Sequence, residues 1–144
     1  MLQKNFTEIY PQLKNKVVLN VDDNEMNRIV LSKIMQSVGI KIIHAENGDE
    51  AIKKLLAGLK PDVILMDLEM PVMNGVQASE YIRGKIDSEI PIIINSGSVS
   101  AYQRFKLNRL NIGDFLEKPY SMNDIFSKLY KNIAFLVADE AIIK

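Results

Sequence analysis

The chain has 144 residues, 47% hydrophobic and 25% charged, which suits one globular domain and excludes intrinsic disorder or a collagen-like fibre. Its 18 basic and 18 acidic side chains cancel to a formal net charge of zero, removing the long-range field that gathers nucleic acid or an anionic membrane. Cysteine is absent and histidine occurs once, at His44, so disulfides, thiolate zinc and multi-histidine metal sites are excluded, and no apolar run approaches the roughly 18 residues of a membrane span. A soluble, cytoplasmic domain is expected, without contact to nucleic acid or membrane.

In chain order, residues 1–15 come first, with Phe6, Ile9, Tyr10 and Leu13 at helical spacing broken by Pro11. This stretch reads as an N-terminal extension, a linker or frayed helix. Nearly continuous apolar runs at Val17–Val21, Ile40–Ala45, Val63–Met66, Ile90–Ile94 and, more weakly, Phe115–Leu116 predict strands buried on both faces, as in a parallel sheet. Between them lie helical patterns. Met26, Ile29, Val30, Ile34 and Val38 trace one face, closed by Gly39. Ala51, Ile52, Leu55, Leu56 and Leu59 trace a second, closed by Gly58 and Pro61. The stretches from Gly75 to Gly84 and from Ser100 to Arg109 are weaker helices. Ser121 and Asp124 have capping-box spacing before Ile125, Phe126, Leu129, Tyr130 and Ile133. Residues 135–144 are expected to extend this last helix or form a tail. Five strands alternating with five helices predict an α/β, doubly wound domain over 16–134, with helices on both faces.

In such sheets ligands bind beyond the carboxyl ends of the strands, so the polar residues there are the candidates. The first strand is followed by Asp22 and Asp23, the third by Asp67, the fourth by Asn95 and Ser96, and the fifth by Glu117, Lys118 and Pro119. Taken singly, an Asp or Ser after a strand commonly caps the next helix, and a lone lysine is commonly solvated. Together they place three carboxylates, a hydroxyl and a lysine on one edge. Two carboxylates about 4 Å apart repel by about 4 kcal/mol at an effective dielectric near 20, so the cluster calls for cations. Lys118 supplies one charge, and an all-oxygen donor set points to Mg²⁺ or Mn²⁺ for the rest. Metal, lysine and hydroxyl around a carboxylate also suit a phosphoryl group, with one aspartate as nucleophile.

The stretches Val21-Asp22-Asp23-Asn24-Glu25-Met26-Asn27-Arg28, Leu65-Met66-Asp67-Leu68-Glu69-Met70-Pro71-Val72-Met73-Asn74-Gly75, Pro91-Ile92-Ile93-Ile94-Asn95-Ser96 and Phe115-Leu116-Glu117-Lys118-Pro119 resemble the response-regulator receiver domain, of the kind often fused to hybrid histidine kinases. The resemblance covers about residues 16–133. It implies a flavodoxin-like sheet in the order 2-1-3-4-5 and a phosphorelay function. Asp67 corresponds to the phospho-acceptor. Asp22 and Asp23 correspond to the acid pair that holds Mg²⁺, Asp23 directly and Asp22 largely through water, with the backbone carbonyl of Glu69 as a further ligand. Ser96 corresponds to the switch hydroxyl, Lys118 to the lysine that contacts the phosphoryl group, and Phe115 to the aromatic switch. Pro119 is expected after a cis bond.

The implied partner is a histidine kinase or histidine phosphotransfer module, and a weak homodimer is left open. Its contact surface is expected on the outward residues of 24–28, Arg28 among them, with the loop after the fifth strand. His44, inside a strand, reads as a packed histidine rather than a phosphoryl donor. Asn95-Ser96-Gly97 departs from the usual apolar-Thr-Ala, so the loop there is expected to be more mobile. Two alternatives remain at this point. A haloacid-dehalogenase-like phosphohydrolase would use Asp67-Leu68-Glu69, and a pseudo-receiver would only bind.

Overall fold

A computed structural model describes residues 5–143, with side chains as far as Ile133. Helix α1 (Phe6–Ile9) and a 3₁₀ turn (Pro11–Leu13) lead into β1 (Val17–Val21), α2 (Glu25–Gln36), β2 (Lys41–Ala45), α3 (Gly48–Leu56) and β3 (Val63–Met66). Helix α4 (Gly75–Tyr81) runs on as a π-helical turn (Ile82–Ile86), followed by β4 (Ile92–Ser96), α5 (Ala101–Arg109), β5 (Asp114–Glu117) and α6 (Met122–Ile143). The strands form one parallel sheet in the order β2-β1-β3-β4-β5, a flavodoxin-like α/β fold as expected. Among the described residues no helix is long and apolar enough to cross a membrane.

Strand alternation divides the apolar residues into two cores. Leu19, Val21, Ile64, Met66 and Ile94 pack with Ala51, Ile52 and Leu55 of α3, Val76 and Ala78 of α4 and Leu107 of α5. Val18, Leu65, Ile93 and Leu116 pack with Leu31 and Met35 of α2 and Ile125, Phe126 and Leu129 of α6. The helices weakest in pattern owe their starts to side-chain caps. Asn74 and Gln77 bond reciprocally at α4, and Ser100 and Gln103 at α5. The expected box at α6 also forms, with the Ser121 N–H donating to Asp124 at 2.9 Å and the Asp124 N–H to Ser121 Oγ at 3.1 Å.

Several expectations require correction. The core face of α2 is Leu31 and Met35, followed by Val38, whereas Met26, Ile29 and Val30 are exposed. A helix apolar on two flanks leaves its burial to the neighbours it meets, and here those are β2 and the core cluster that includes Val18 and Phe126. Leu56 of α3 is likewise exposed. The fourth strand is Ile92–Ser96 rather than Ile90–Ile94. The Asp87 carboxylate accepts the N–H groups of Glu89 and Ile90, and this turn delays the strand until after Pro91. Asn95, Ser96 and Glu117 therefore lie in strands and not beyond them.

The segment ahead of β1 is packed rather than free. Phe6 and Tyr10 set their rings 5.0 and 6.2 Å from that of Phe126, Tyr10 donates to Asn123 Oδ1 at 3.1 Å, and Leu13 is fully buried. At the other end α6 continues to Ile143, so residues 135–143 extend the helix.

Candidate functional site

Parallel pairing of β1 with β3, with Val21 opposite Met66, brings the next residues, Asp22 and Asp67, side by side at the carboxyl edge. Carboxylate oxygens of Asp22, Asp23 and Asp67 lie within 4.8 Å of one another. Asp22 is buried with both oxygens engaged. Oδ1 accepts the Asn24 N–H at 2.9 Å, and Oδ2 accepts the Asn27 side-chain amide at 3.2 Å. Asn24 in turn caps α2 by accepting the Asn27 N–H at 2.9 Å. The helix start and the orientation of Asp22 are thus one bonded unit. Asp23 is exposed.

Asp67 is half-buried, and its Oδ1 accepts the Glu69 N–H at 3.4 Å. Burial, and then repulsion from Asp22, push its carboxyl above the ordinary aspartate range; the Glu69 N–H, the charge of Lys118 and the Leu68 N–H pull the other way. Lys118 follows β5, with a cis bond to Pro119 as expected, and its N–H donates to the Ser96 carbonyl at 3.2 Å. Gly75, at the start of α4, touches the acceptor loop so closely that a Cβ there would lie 2.0 Å from the Asp67 carbonyl oxygen.

The fold therefore brings together Asp22, Asp23, Asp67 and the charge of Lys118. Ser96 and Phe115 have other partners. Ser96 is buried at the end of β4, its hydroxyl donating to the Ser98 carbonyl at 3.4 Å. Phe115, opposite Ile94 on β5, is half-buried under the Arg104 guanidinium, 4.4 Å from the ring centroid. Glu69 is exposed and offers its N–H to Asp67.

Arg28 is not the outward residue expected. Its side chain is 15% exposed, donates to the Asp22 carbonyl at 2.9 Å and pairs with Glu46 at 3.4 Å. Asn27 carries site geometry that sequence reasoning missed, and Asn95, named there only for its place after the fourth strand, adds to it. The bond of Asn27 to Asp22 spans five residues across a strand-to-helix turn, which no periodicity announces. Asn95 is buried with its side-chain oxygen unpartnered, and it lines a cavity of about 260 Å³ with Val30, Ile34, Lys118 and Tyr120. His44 is held as a packed histidine, Nδ1 3.1 Å from Asn20 Nδ2 and Nε2 2.7 Å from Ser32 Oγ.

The family model for the response regulator receiver domain matches residues 18–130. Two-component response regulator 24 of Arabidopsis thaliana is 36% identical over 114 residues, covering 78% of this chain and 81% of that protein. The autoinducer 1 sensor kinase/phosphatase LuxN of Vibrio campbellii is also 36% identical over 114 residues, 78% of this chain but 13% of LuxN. Among solved structures, the receiver domain of the sensor histidine kinase PA1611 of Pseudomonas aeruginosa, with a magnesium ion coordinated in its active-site cleft, superposes with a TM-score of 0.75 at 26% identity, covering 83% of this chain and 98% of that one.

Proposed function

The chain belongs to the response regulator receiver family, and from that premise we propose that it accepts a phosphoryl group on Asp67 from a phosphohistidine of a histidine kinase or histidine phosphotransfer module. The observation that carries this reading is the meeting of three carboxylates within 4.8 Å on the edge where the charge of Lys118 also acts. The all-oxygen donor set fits Mg²⁺, with Mn²⁺ as the alternative. Asp23, exposed and unencumbered by the bonds that occupy Asp22, would ligate it directly. Asp22, each of whose oxygens already accepts one hydrogen bond, would act largely through water, and Asp67 and the Glu69 carbonyl would complete the protein's share. When bound, the ion offsets the mutual repulsion of the carboxylates and neutralises charge on phosphoryl oxygens.

A carboxylate oxygen of Asp67 attacks phosphorus, the P–N bond to the donor imidazole breaks, and its electron pair returns to the ring nitrogen. Lys118 pairs with one phosphoryl oxygen. The Ser96 hydroxyl leaves the Ser98 carbonyl and donates to another, and Phe115 turns inward behind it. The donor lies outside this chain, because His44 has both ring nitrogens engaged inside the fold. We place the chain as a receiver module, residues 16–134, within a cytoplasmic phosphorelay.

Intact mass after incubation with acetyl phosphate and Mg²⁺ tests the reading. One phosphoryl group is expected on the wild type and none on Asp67→Asn or in EDTA. Undiminished labelling of Asp67→Asn at neutral pH would overturn the assignment.

A further inference from the structure

An ionised carboxylate only accepts hydrogen bonds, so the Asn27 side chain must turn its NH₂ end toward Asp22, and Nδ2 lies 3.2 Å from Asp22 Oδ2. The other bonds that hold Asp22 involve the backbone. Its Oδ1 accepts the Asn24 N–H at 2.9 Å, and its carbonyl accepts from the Arg28 guanidinium at 2.9 Å. Among the described residues, Asn27 thus supplies the one side-chain bond to this carboxylate. It does so from a fixed base, because its own N–H donates to Asn24 Oδ1 at 2.9 Å in the N-cap of α2. The bond has two effects on a buried, charged group. It compensates part of the charge that repels Asp67, and it sets which way Asp22 faces in a cluster whose carboxylates lie within 4.8 Å of one another.

We infer that Asn27 is a positioning residue that sets the choice of cation: by restraining Asp22 it keeps the cluster suited to Mg²⁺ and poorly suited to Ca²⁺. The inference rests on Asp23 and Asp67 as the direct ligands proposed above. Mg²⁺ keeps several waters and takes a carboxylate or two, whereas Ca²⁺ gathers about six to eight oxygens, with carboxylates binding through one oxygen or both. Restrained by the amide, Asp22 adds little to the coordination of the larger ion. Released, Oδ2 becomes a further direct ligand, which Ca²⁺ accepts more readily than Mg²⁺.

The test titrates the whole chain with MgCl₂ and, separately, with CaCl₂, following the backbone amide resonances around Asp22, Asp23 and Asp67. Asn27→Ala keeps the backbone N–H that caps α2, so the helix start is retained while the bond to Asp22 is lost. Its Mg²⁺ affinity should fall roughly ten-fold, the usual scale for losing a partner of the ligands. Ca²⁺ affinity should stay within about two-fold, because the freed oxygen offsets the loss. Asn27→Asp removes the same donor and adds an oxygen ligand, so the ratio of the two affinities should move further toward Ca²⁺. Unchanged Mg²⁺ affinity in Asn27→Ala would overturn the positioning role. Equal losses for both ions, or a ratio that moves toward Mg²⁺ in Asn27→Asp, would overturn the selectivity and leave a merely structural bond. Wild-type amides that respond to neither ion would overturn the metal reading itself, a result distinguishable from either.

Discussion

The guanidinium of Arg104 on α5 lies 4.4 Å above the ring of Phe115 on β5 and pairs with Glu117 two residues further along the same strand. Two same-face residues of an edge strand are thereby fastened to one side chain of the neighbouring helix. If Phe115 turns inward on activation, it must leave this cation, so the contact favours the outward ring. A partly exposed cation–π contact contributes about 0.5–1 kcal/mol. Arg104→Ala should therefore raise the inward population of Phe115 about two- to five-fold, read from the aromatic ring resonances with and without beryllofluoride. Ring shifts identical to wild type would show that the arginine does not bias the switch.

The raised pKa of Asp67 makes its charge a liability to the fold. A carboxyl whose folded pKa lies above the unfolded value contributes its stability below that unfolded value, near 3.8, and loses it as pH rises through the folded pKa. At neutral pH without divalent cations, Asp67→Asn should thus melt higher than wild type, and the difference should vanish near pH 3. Thermal denaturation in EDTA at the two pH values checks both halves. A destabilised variant at pH 7 would contradict the burial and repulsion assigned to this carboxylate.

Gly75 is required by contact and not by backbone freedom. A Cβ placed 2.0 Å from the Asp67 carbonyl oxygen forces the acceptor loop and the start of α4 apart. Overpacking of this kind costs about 1–3 kcal/mol, and Gly75→Ala should fall in that range by urea denaturation. Labelling by acetyl phosphate should also slow, since the displaced backbone is that of Asp67. Full stability in the variant would mean that the loop yields without strain.

Leu13 tests whether the segment ahead of β1 is part of the folding unit. It is fully buried among Val18, Met35, Phe126 and other residues of the core beneath α2 and α6. Truncating a buried leucine to alanine removes about 2–5 kcal/mol. Leu13→Ala should lose that amount in cooperative denaturation, whereas a linker residue would lose nothing measurable.

The fold class, the strand alternation and the edge bearing Asp22, Asp23, Asp67 and Lys118 were legible in the sequence. Continuous apolar runs mark strands covered on both sides, and residues directly after parallel strands must share an edge. Gly39 and the Ser121–Asp124 pair also declared their roles, because caps act within a few residues of chain.

What only the tertiary structure decided is what depends on neighbours far along the chain. Which flank of α2 faces the core was set by β2 and by distant core residues such as Val18 and Phe126, so Leu31 and Met35 went in while Met26, Ile29 and Val30 stayed out. Arg28 turned inward because the Asp22 carbonyl and Glu46 stood within its reach. Leu13 became core, and Phe6 and Tyr10 packed against it, because Phe126 and Tyr130 lie on the last helix, more than a hundred residues away. The elevated pKa of Asp67 arose in the same way, from burial and a carboxylate on the adjacent strand. Local sequence determines periodicity and caps; burial, charge and contact across the sheet exist only once the strands have paired.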